Sequence, residues 1–188
     1  MKKLVNKVIL VTGGSKGIGA TIARCVSAQG AKVVINYSGS DADADDVVNF
    51  INNNDGEAIA VKADVRNPAE VDALFEKAIA HFGRIDVLIN NAGIMVTKPI
   101  KDTTDEDFER QFDINVKGVF NTLRKATTHL ADNGTIINLS TTISRLMVPG
   151  YGTYTASKSA VEQLSRVLSR EIGRGINVNS ISPGPTNT

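Results

Sequence analysis

Thr12-Gly13-Gly14-Ser15-Lys16-Gly17-Ile18-Gly19 follows the aliphatic run Val8–Val11 and leads into an amphipathic stretch over 17–29. A strand that passes through a glycine-rich turn into a helix can bring its backbone close to a pyrophosphate. Glycines permit the tight turn, and the helix N-terminus offers free N–H groups and the positive end of its dipole. Gly13, Gly17 and Gly19 are spaced G-x-x-x-G-x-G, which is not the G-x-G-x-x-G of the common dinucleotide fingerprint. A P-loop reading fails because Ala20 stands where the lysine is required. The remaining alternative is a purely structural turn.

Outward from this segment, short aliphatic runs alternate with longer amphipathic ones. The runs are Val8–Val11, Val33–Ile35, Ala58–Val61, Val87–Ile89, Ile136–Leu139 and Asn177–Ile181. All but the last are nearly continuous in apolar residues, the pattern of strands covered on both faces. Helical patterns lie near 17–29, 41–54, 68–82, 105–131 and 155–173. Strand–helix alternation predicts a parallel sheet with right-handed crossovers. The expected architecture is α/β, a doubly wound, Rossmann-like, three-layered parallel sheet, with residues 1–188 as a single domain. Local signals agree: Asn67-Pro68 reads as an N-cap with Pro at the first helical position. Thr104 with Asp107 is a weaker relative of the capping box, and the acidic run Asp41–Asp46 suits a helix start.

Composition narrows the function. The 188 residues carry 21 Lys and Arg against 20 Asp and Glu, a net charge of +1, which lacks the basic excess of a nucleic-acid binder. With 41% hydrophobic residues the chain can build a core. One cysteine allows no internal disulfide and favours a reducing compartment. No apolar run approaches the ~20 residues of a membrane helix, so a cytoplasmic, non-membrane protein is expected. Cys25 reads as a packing residue, and His81 and His129 lack partners at metal-ligand spacing.

The second strand addresses the choice of nucleotide. An acidic residue at its end commonly binds the ribose 2′-hydroxyl of NAD. Here the end reads Asn36-Tyr37-Ser38, with no carboxylate to repel a 2′-phosphate, while Ser38 can donate hydrogen bonds and Lys16 brings a positive charge. These features favour NADP(H). The turn residues Gly13, Ser15, Lys16, Gly17, Ile18 and Gly19, with Tyr37 and Ser38, are the candidate cofactor contacts.

Tyr154 and Lys158 are four residues apart, on one face of a helix that follows the fifth strand. Ligands in this architecture bind at the carboxyl ends of the strands, where that helix begins. A cation about 4 Å away contributes roughly 4 kcal/mol at an effective dielectric near 20, or about three pKa units. Lys158 is therefore expected to draw the Tyr154 phenol toward neutral pH, where acid–base catalysis is efficient.

These residues form an ordered series. Thr12-Gly13-x-x-x-Gly17-Ile18-Gly19 is followed by Asp64-Val65, Asn90-Asn91-Ala92-Gly93, Asn115-x-x-Gly118, Tyr154-x-x-x-Lys158 and Pro183-Gly184. The series resembles the short-chain dehydrogenase/reductases over all 188 positions. The resemblance implies that Asp64 and Val65 contact the adenine, and that Asn91 steadies the sheet. It implies that Ala92 and Gly93 line the nicotinamide ribose, with Pro183, Gly184 and Thr188 on the nicotinamide side. Asn115 would hold a water near Lys158, Lys158 would bind the ribose, and Tyr154 would give its proton to a carbonyl as hydride arrives.

Two departures stand out. The family's serine 13 residues before the tyrosine is Thr141, which keeps a hydroxyl but restricts its rotamer; Ser140 is the competitor if the register slips. The chain reaches Thr188 where the family continues, so roughly 60 further residues are expected by resemblance. The implied activity is NADP(H)-dependent reduction of a small-molecule ketone or aldehyde to an alcohol. A 3-oxoacyl carrier-protein reductase and a non-catalytic dinucleotide-binding module are the alternatives. The resemblance also implies a homo-oligomer, tetramer or dimer, through the long helices. Leu146, Met147, Val148 and Tyr151 suggest a partly apolar substrate pocket.

Overall fold

The computed structural model describes residues 2–186. Six parallel strands form one sheet in the order β3-β2-β1-β4-β5-β6. They are β1 (Val8–Val11), β2 (Lys32–Tyr37), β3 (Glu57–Lys62), β4 (Val87–Asn90), β5 (Thr135–Leu139) and β6 (Asn177–Ile181). The helices are α1 (Gly17–Ala28), α2 (Asp41–Asn52), α3 (Pro68–Phe82), α4 (Asp105–Phe112), α5 (Gly118–His129) and α6 (Gly152–Glu171). The strand order reverses between β1 and β4, and the loops there frame a crevice at the carboxyl ends.

The pleat explains the continuous apolar runs. Val8 and Leu10 point into a core built with α3, α5 and α6, whereas Ile9 and Val11 point into a second core with α1 and α2. Helix α1 lies close to the sheet because its inner face is Gly19, Ala20, Ala23 and Ser27. Cys25 falls on the opposite face and is exposed, which corrects the packing role expected from its neighbours Ile22 and Val26. Strand β6 forms the far edge. Only Val178 packs against a core, and Asn177, Asn179, Ser180 and Ile181 are exposed.

Helix ends follow the sequence signals. Asn67 accepts from the Ala69 N–H ahead of Pro68, and Gly83 closes α3 at φ 81°. Thr104 Oγ1 accepts from the Asp107 N–H, but the Asp107 carboxylate turns away to Lys98. The stretch expected as one helix over 105–131 is divided. Its middle, Asp113–Lys117, is a π-turn in which Gly118 N donates to Asp113 O. Such a turn inserts an extra residue and re-aims the side chains around it. Gly118 is required by packing, since a Cβ there would lie 2.6 Å from Val65 Cγ2.

Buried polar groups tie the layers together. Thr122 Oγ1 donates to Asn90 Oδ1 at 2.7 Å, Asn90 Nδ2 to Asn138 Oδ1 at 2.8 Å, and Asn138 Nδ2 to Ser165 Oγ at 2.8 Å. This chain links α5, β4, β5 and α6 with each member satisfied.

Candidate active site

The glycine turn is anchored from below. Asn91 Nδ2 donates to the main-chain oxygens of Thr12 and Gly13, both at 2.9 Å. Thr12 Oγ1 accepts from the N–H groups of Asn91 at 3.0 Å and Ala92 at 3.1 Å. The turns after β1 and β4 are thereby joined. Gly13 and Gly17 have φ of 60° and 53°, a region costly for other residues. Gly19 lines no cavity and instead permits close approach, because a Cβ there would sit 2.2 Å from Gly13 O. The side chain of the cap residue, Lys16, makes no bond to the first turn of α1, whose positive end faces the crevice.

Two adjoining cavities occupy the crevice. The larger, about 490 Å³, is lined by Gly13, Lys16, Gly17 and Ile18 on one side and by Asn91, Ala92, Gly93 and Met95 on another. Ser140, Thr141, Tyr154, Lys158, Pro183 and Gly184 close it. The smaller, about 200 Å³, is lined by Asn36, Tyr37, Ser38, Asp64, Val65, Arg66 and Ile114, and shares Gly13, Ala92 and Gly93 with the first. Ser15 stays in the turn and lines neither cavity, and Thr188 lies outside the described residues.

Around the smaller cavity, Arg66 binds Asp64 in bidentate fashion, with Nη2 to Oδ2 at 2.6 Å and Nε to Oδ1 at 3.0 Å. The guanidinium holds the Asp64 carboxyl below its ordinary range. Burial, then a hydrogen bond to Asp41, pushes the Tyr37 phenol up. The strand end itself lacks a carboxylate, but space supplies two. Asp43 pairs with Lys16 at 2.8 Å and Asp41 with Lys62 at 2.9 Å, because α2 starts just after β2. The start of α2 thus brings two carboxylates beside a strand end that carries none, and one of them engages Lys16.

In the larger cavity, Tyr154 and Lys158 stand on the first two turns of α6, which starts at Gly152 rather than near 155. Thr141 and Tyr154 line the same cavity, the Thr141 side chain acts to lower the Tyr154 pKa, and the Thr141 hydroxyl accepts from the Ile143 N–H at 3.3 Å. Ser140 instead donates to Glu162 Oε1 at 2.6 Å, so geometry favours Thr141 over Ser140 as the hydroxyl beside the phenol. Lys158, 6% exposed, donates from Nζ to Leu139 O at 2.8 Å. Burial lowers its pKa to about 8.

The expected effect of Lys158 on Tyr154 is not met. The Tyr154 pKa is raised, chiefly by burial, with the Thr141 side chain working in the opposite direction. Lys158 Nζ lies 6.0 Å from the ring centroid and is turned to the β5 carbonyl. Desolvation of the phenol is the largest influence on it and outweighs the opposing effect of Thr141.

Asn115 sits in the π-turn, fully buried. Its Nδ2 donates to Ile94 O at 2.9 Å and Ser157 Oγ at 3.0 Å, and its Oδ1 accepts from Ile94 N at 2.8 Å. It thus joins the β4 loop to α6 and makes no direct bond to Lys158. A Cβ at Gly93 would lie 3.1 Å from Asn115 Oδ1 and 3.3 Å from Lys158 Nζ, so the absent side chain keeps the floor open. Tyr151 packs edge-on to Tyr154 at 6.5 Å between centroids and does not line the cavity.

Sequence reasoning missed Asn36, whose Nδ2 donates to Ala63 O at 2.8 Å and whose Oδ1 accepts from Gly13 N at 3.4 Å. A polar residue ending an otherwise apolar strand was its signal. Arg66 and Glu162 were missed as well. Their roles come from spatial neighbours that no local pattern announces.

The chain matches the short chain dehydrogenase family model over residues 7–188. It is 44% identical over 185 residues to an uncharacterized oxidoreductase of Methylorubrum extorquens, covering 98% of this chain and 75% of that protein. It is 41% identical over 188 residues to versicolorin reductase of Emericella nidulans, covering 99% of this chain and 71% of the relative. A short chain dehydrogenase from Burkholderia cenocepacia, solved in complex with NADP, superposes with a TM-score of 0.94 at 38% identity, covering 98% of this chain and 76% of that one. No helix of the described residues is long and apolar enough to cross a membrane. By this family match, these identities and this superposition, the chain belongs to the short-chain dehydrogenase/reductase family of oxidoreductases.

Proposed function

We propose that this chain binds NADP(H) and reduces a ketone or aldehyde to the alcohol. The observation that carries the reading is the convergence of Thr141, Tyr154 and Lys158 on the cavity that also meets the glycine turn. The residues fit the nucleotide: a helix end unbonded by its cap side chain, two glycines at positive φ, and a second cavity with Tyr37, Ser38 and Arg66 at its rim. The Burkholderia cenocepacia relative's bound NADP supports the same choice. Lys16, Lys62 and Arg66 supply positive charge for a 2′-phosphate, in exchange for their present carboxylate partners.

The nicotinamide supplies the hydride when bound. Thr141 donates a hydrogen bond to the substrate oxygen and orients it. Tyr154 keeps its proton at neutral pH because burial raises its pKa, and so serves as the acid. Lys158 holds the ribose and, with a pKa of about 8, exchanges protons near neutrality to restore the phenol. Asn115 secures the β4 loop against α6, and through them the spacing of Gly93 and Lys158. Asp64 and Val65 border the adenine, with Asn91, Ala92, Gly93, Pro183 and Gly184 along the nicotinamide side.

Replacing Tyr154 with Phe tests the reading. Ketone reduction with NADPH is expected to fall at least 10²-fold, the usual scale of a lost general acid, while NADPH binding by fluorescence titration stays within about twofold. Activity retained in that variant would remove Tyr154 from the mechanism.

A further inference from the structure

We propose that Glu162 is a positioning residue for the Thr141–Tyr154 pair, its carboxylate gripping the hydroxyls that flank the active-site turn. Glu162 lies four residues beyond Lys158 on α6, on the same helix face, and its side chain is 14% exposed. Its Oε1 accepts from Ser140 Oγ at 2.6 Å and is within 3.3 Å of Ser144 Oγ. Ser144 has one proton to give, and Thr141 O at 2.8 Å is its other acceptor, so either bond ties the turn. A hydroxyl bonded to a carboxylate is among the stronger neutral-to-ion contacts, and here it is shielded from water.

The other side of the segment is held by backbone. Ser140 N donates to Ile181 O at 2.7 Å and Thr142 N to Pro183 O at 3.0 Å. Thr141 lies between these points. Its hydroxyl accepts from Ile143 N, which leaves its proton for the cavity that Thr141 and Tyr154 both line. Glu162 anchors Ser140 to the same helix that carries Tyr154, so the hydroxyl and the phenol share one rigid frame. Both serine contacts go to Oε1, which a glutamine can reproduce and a leucine cannot.

The inference rests on the carbonyl-reductase reading, and the test separates the two. The Glu162→Gln and Glu162→Leu variants of the whole chain are assayed with NADPH and an activated β-keto ester, ethyl 4-chloroacetoacetate. Glu162→Leu is expected to lower kcat at least tenfold with KM for NADPH within twofold, and Glu162→Gln to stay within threefold of the parent. In a Thr141→Ala background, Glu162→Leu is expected to add nothing further, because the residue it positions is gone. An unchanged kcat in Glu162→Leu, or an additive loss in the double variant, overturns the proposal.

If the parent chain does not reduce the ester, that reading fails on its own. The positioning role is then decided by absorbance titration of tyrosinate, with the Tyr154 component assigned by Tyr154→Phe. Loss of the oriented Thr141 hydroxyl is expected to move that component to higher pH in Glu162→Leu and not in Glu162→Gln. No movement overturns the proposal. Should Glu162→Leu fail to fold by circular dichroism, Ser140→Ala carries the same measurements with the same expected and overturning outcomes.

Discussion

Lys158 Nζ donates a 2.8 Å hydrogen bond to the main-chain oxygen of Leu139, the last residue of β5. The lysine thereby pins α6 to the carboxyl edge of the sheet. It is also the most buried member of the Thr141–Tyr154–Lys158 set after Thr141, and burial places its pKa near the working range of an enzyme, at about 8.

That burial has a consequence for stability. The folded state releases the Lys158 proton near pH 8, whereas the unfolded chain holds it to about 10.5. Between these values the unfolded state binds more protons, so stability rises with pH. Above pH 10 the raised phenols of Tyr154 and Tyr37 act in the opposite sense, because the unfolded chain ionises them first. Urea denaturation at pH 7.5 and 9.5 is expected to show a gain of about 2 kcal/mol that is absent in Lys158→Met. Equal pH dependence in the two proteins would remove the buried charge as its source.

A phenol held above its ordinary pKa makes the two directions of the reaction differ. Reduction needs protonated Tyr154 and is expected to have a kcat that is flat from pH 6 to about 7.5. Oxidation of the alcohol needs the tyrosinate and is expected to climb roughly tenfold per pH unit until the phenol ionises. The check is a paired pH profile with NADPH and NADP. An oxidation rate already level at pH 7 would mean that bound cofactor and substrate reverse the desolvation of Tyr154.

Gly19 serves by what it leaves out. A Cβ there would lie 2.2 Å from Gly13 O and 2.5 Å from Asn91 Nδ2, neither of which can yield without reshaping the turn. Gly19→Ala is expected to cost about 2 kcal/mol of stability and to weaken NADPH binding more than tenfold. Gly39→Ala, with nothing within 4 Å of its Cβ position, is the control and is expected to change neither by calorimetry and fluorescence titration.

On the proposed NADP(H) reading, the 2.8 Å ion pair between Lys16 and Asp43 would compete with a 2′-phosphate for the same ammonium. Both partners are exposed to solvent, so the pair is weak. Asp43→Asn is expected to tighten NADPH binding two- to fivefold and to leave NADH nearly unchanged. The difference is expected to shrink in high salt. Comparable gains for both nucleotides would place the 2′-phosphate elsewhere.

Much of the site was legible because its parts are short and local. The spacing of Gly13, Gly17 and Gly19 reports backbone geometry directly, and Tyr154 and Lys158 share a face through helical periodicity alone. Thr141 was placed by counting back from Tyr154, and the two residues line one cavity. What misled was anything that depended on distance in space. The 105–131 pattern reads as one helix because a π-turn scarcely disturbs apolar periodicity, yet it is this turn that carries Asn115 between the β4 loop and Ser157. The strand end after Tyr37 looked free of carboxylates because Asp41 and Asp43 belong, in sequence, to the next element.

By itself the sequence determined the alternation of strands and helices, the glycine turn and the order of the reactive residues. These follow from periodicity and from backbone freedom, which act over a few residues. Only the tertiary structure decided the electrostatics. The direction in which the Tyr154 phenol shifts depends on the balance between desolvation and the Thr141 side chain. The engagement of Lys16 depends on where α2 starts in space. The orientation of Thr141 depends on groups drawn from β6 and α6. Charges and hydrogen bonds act over ångströms, and the distances among these groups exist only once the sheet has brought its strand ends together.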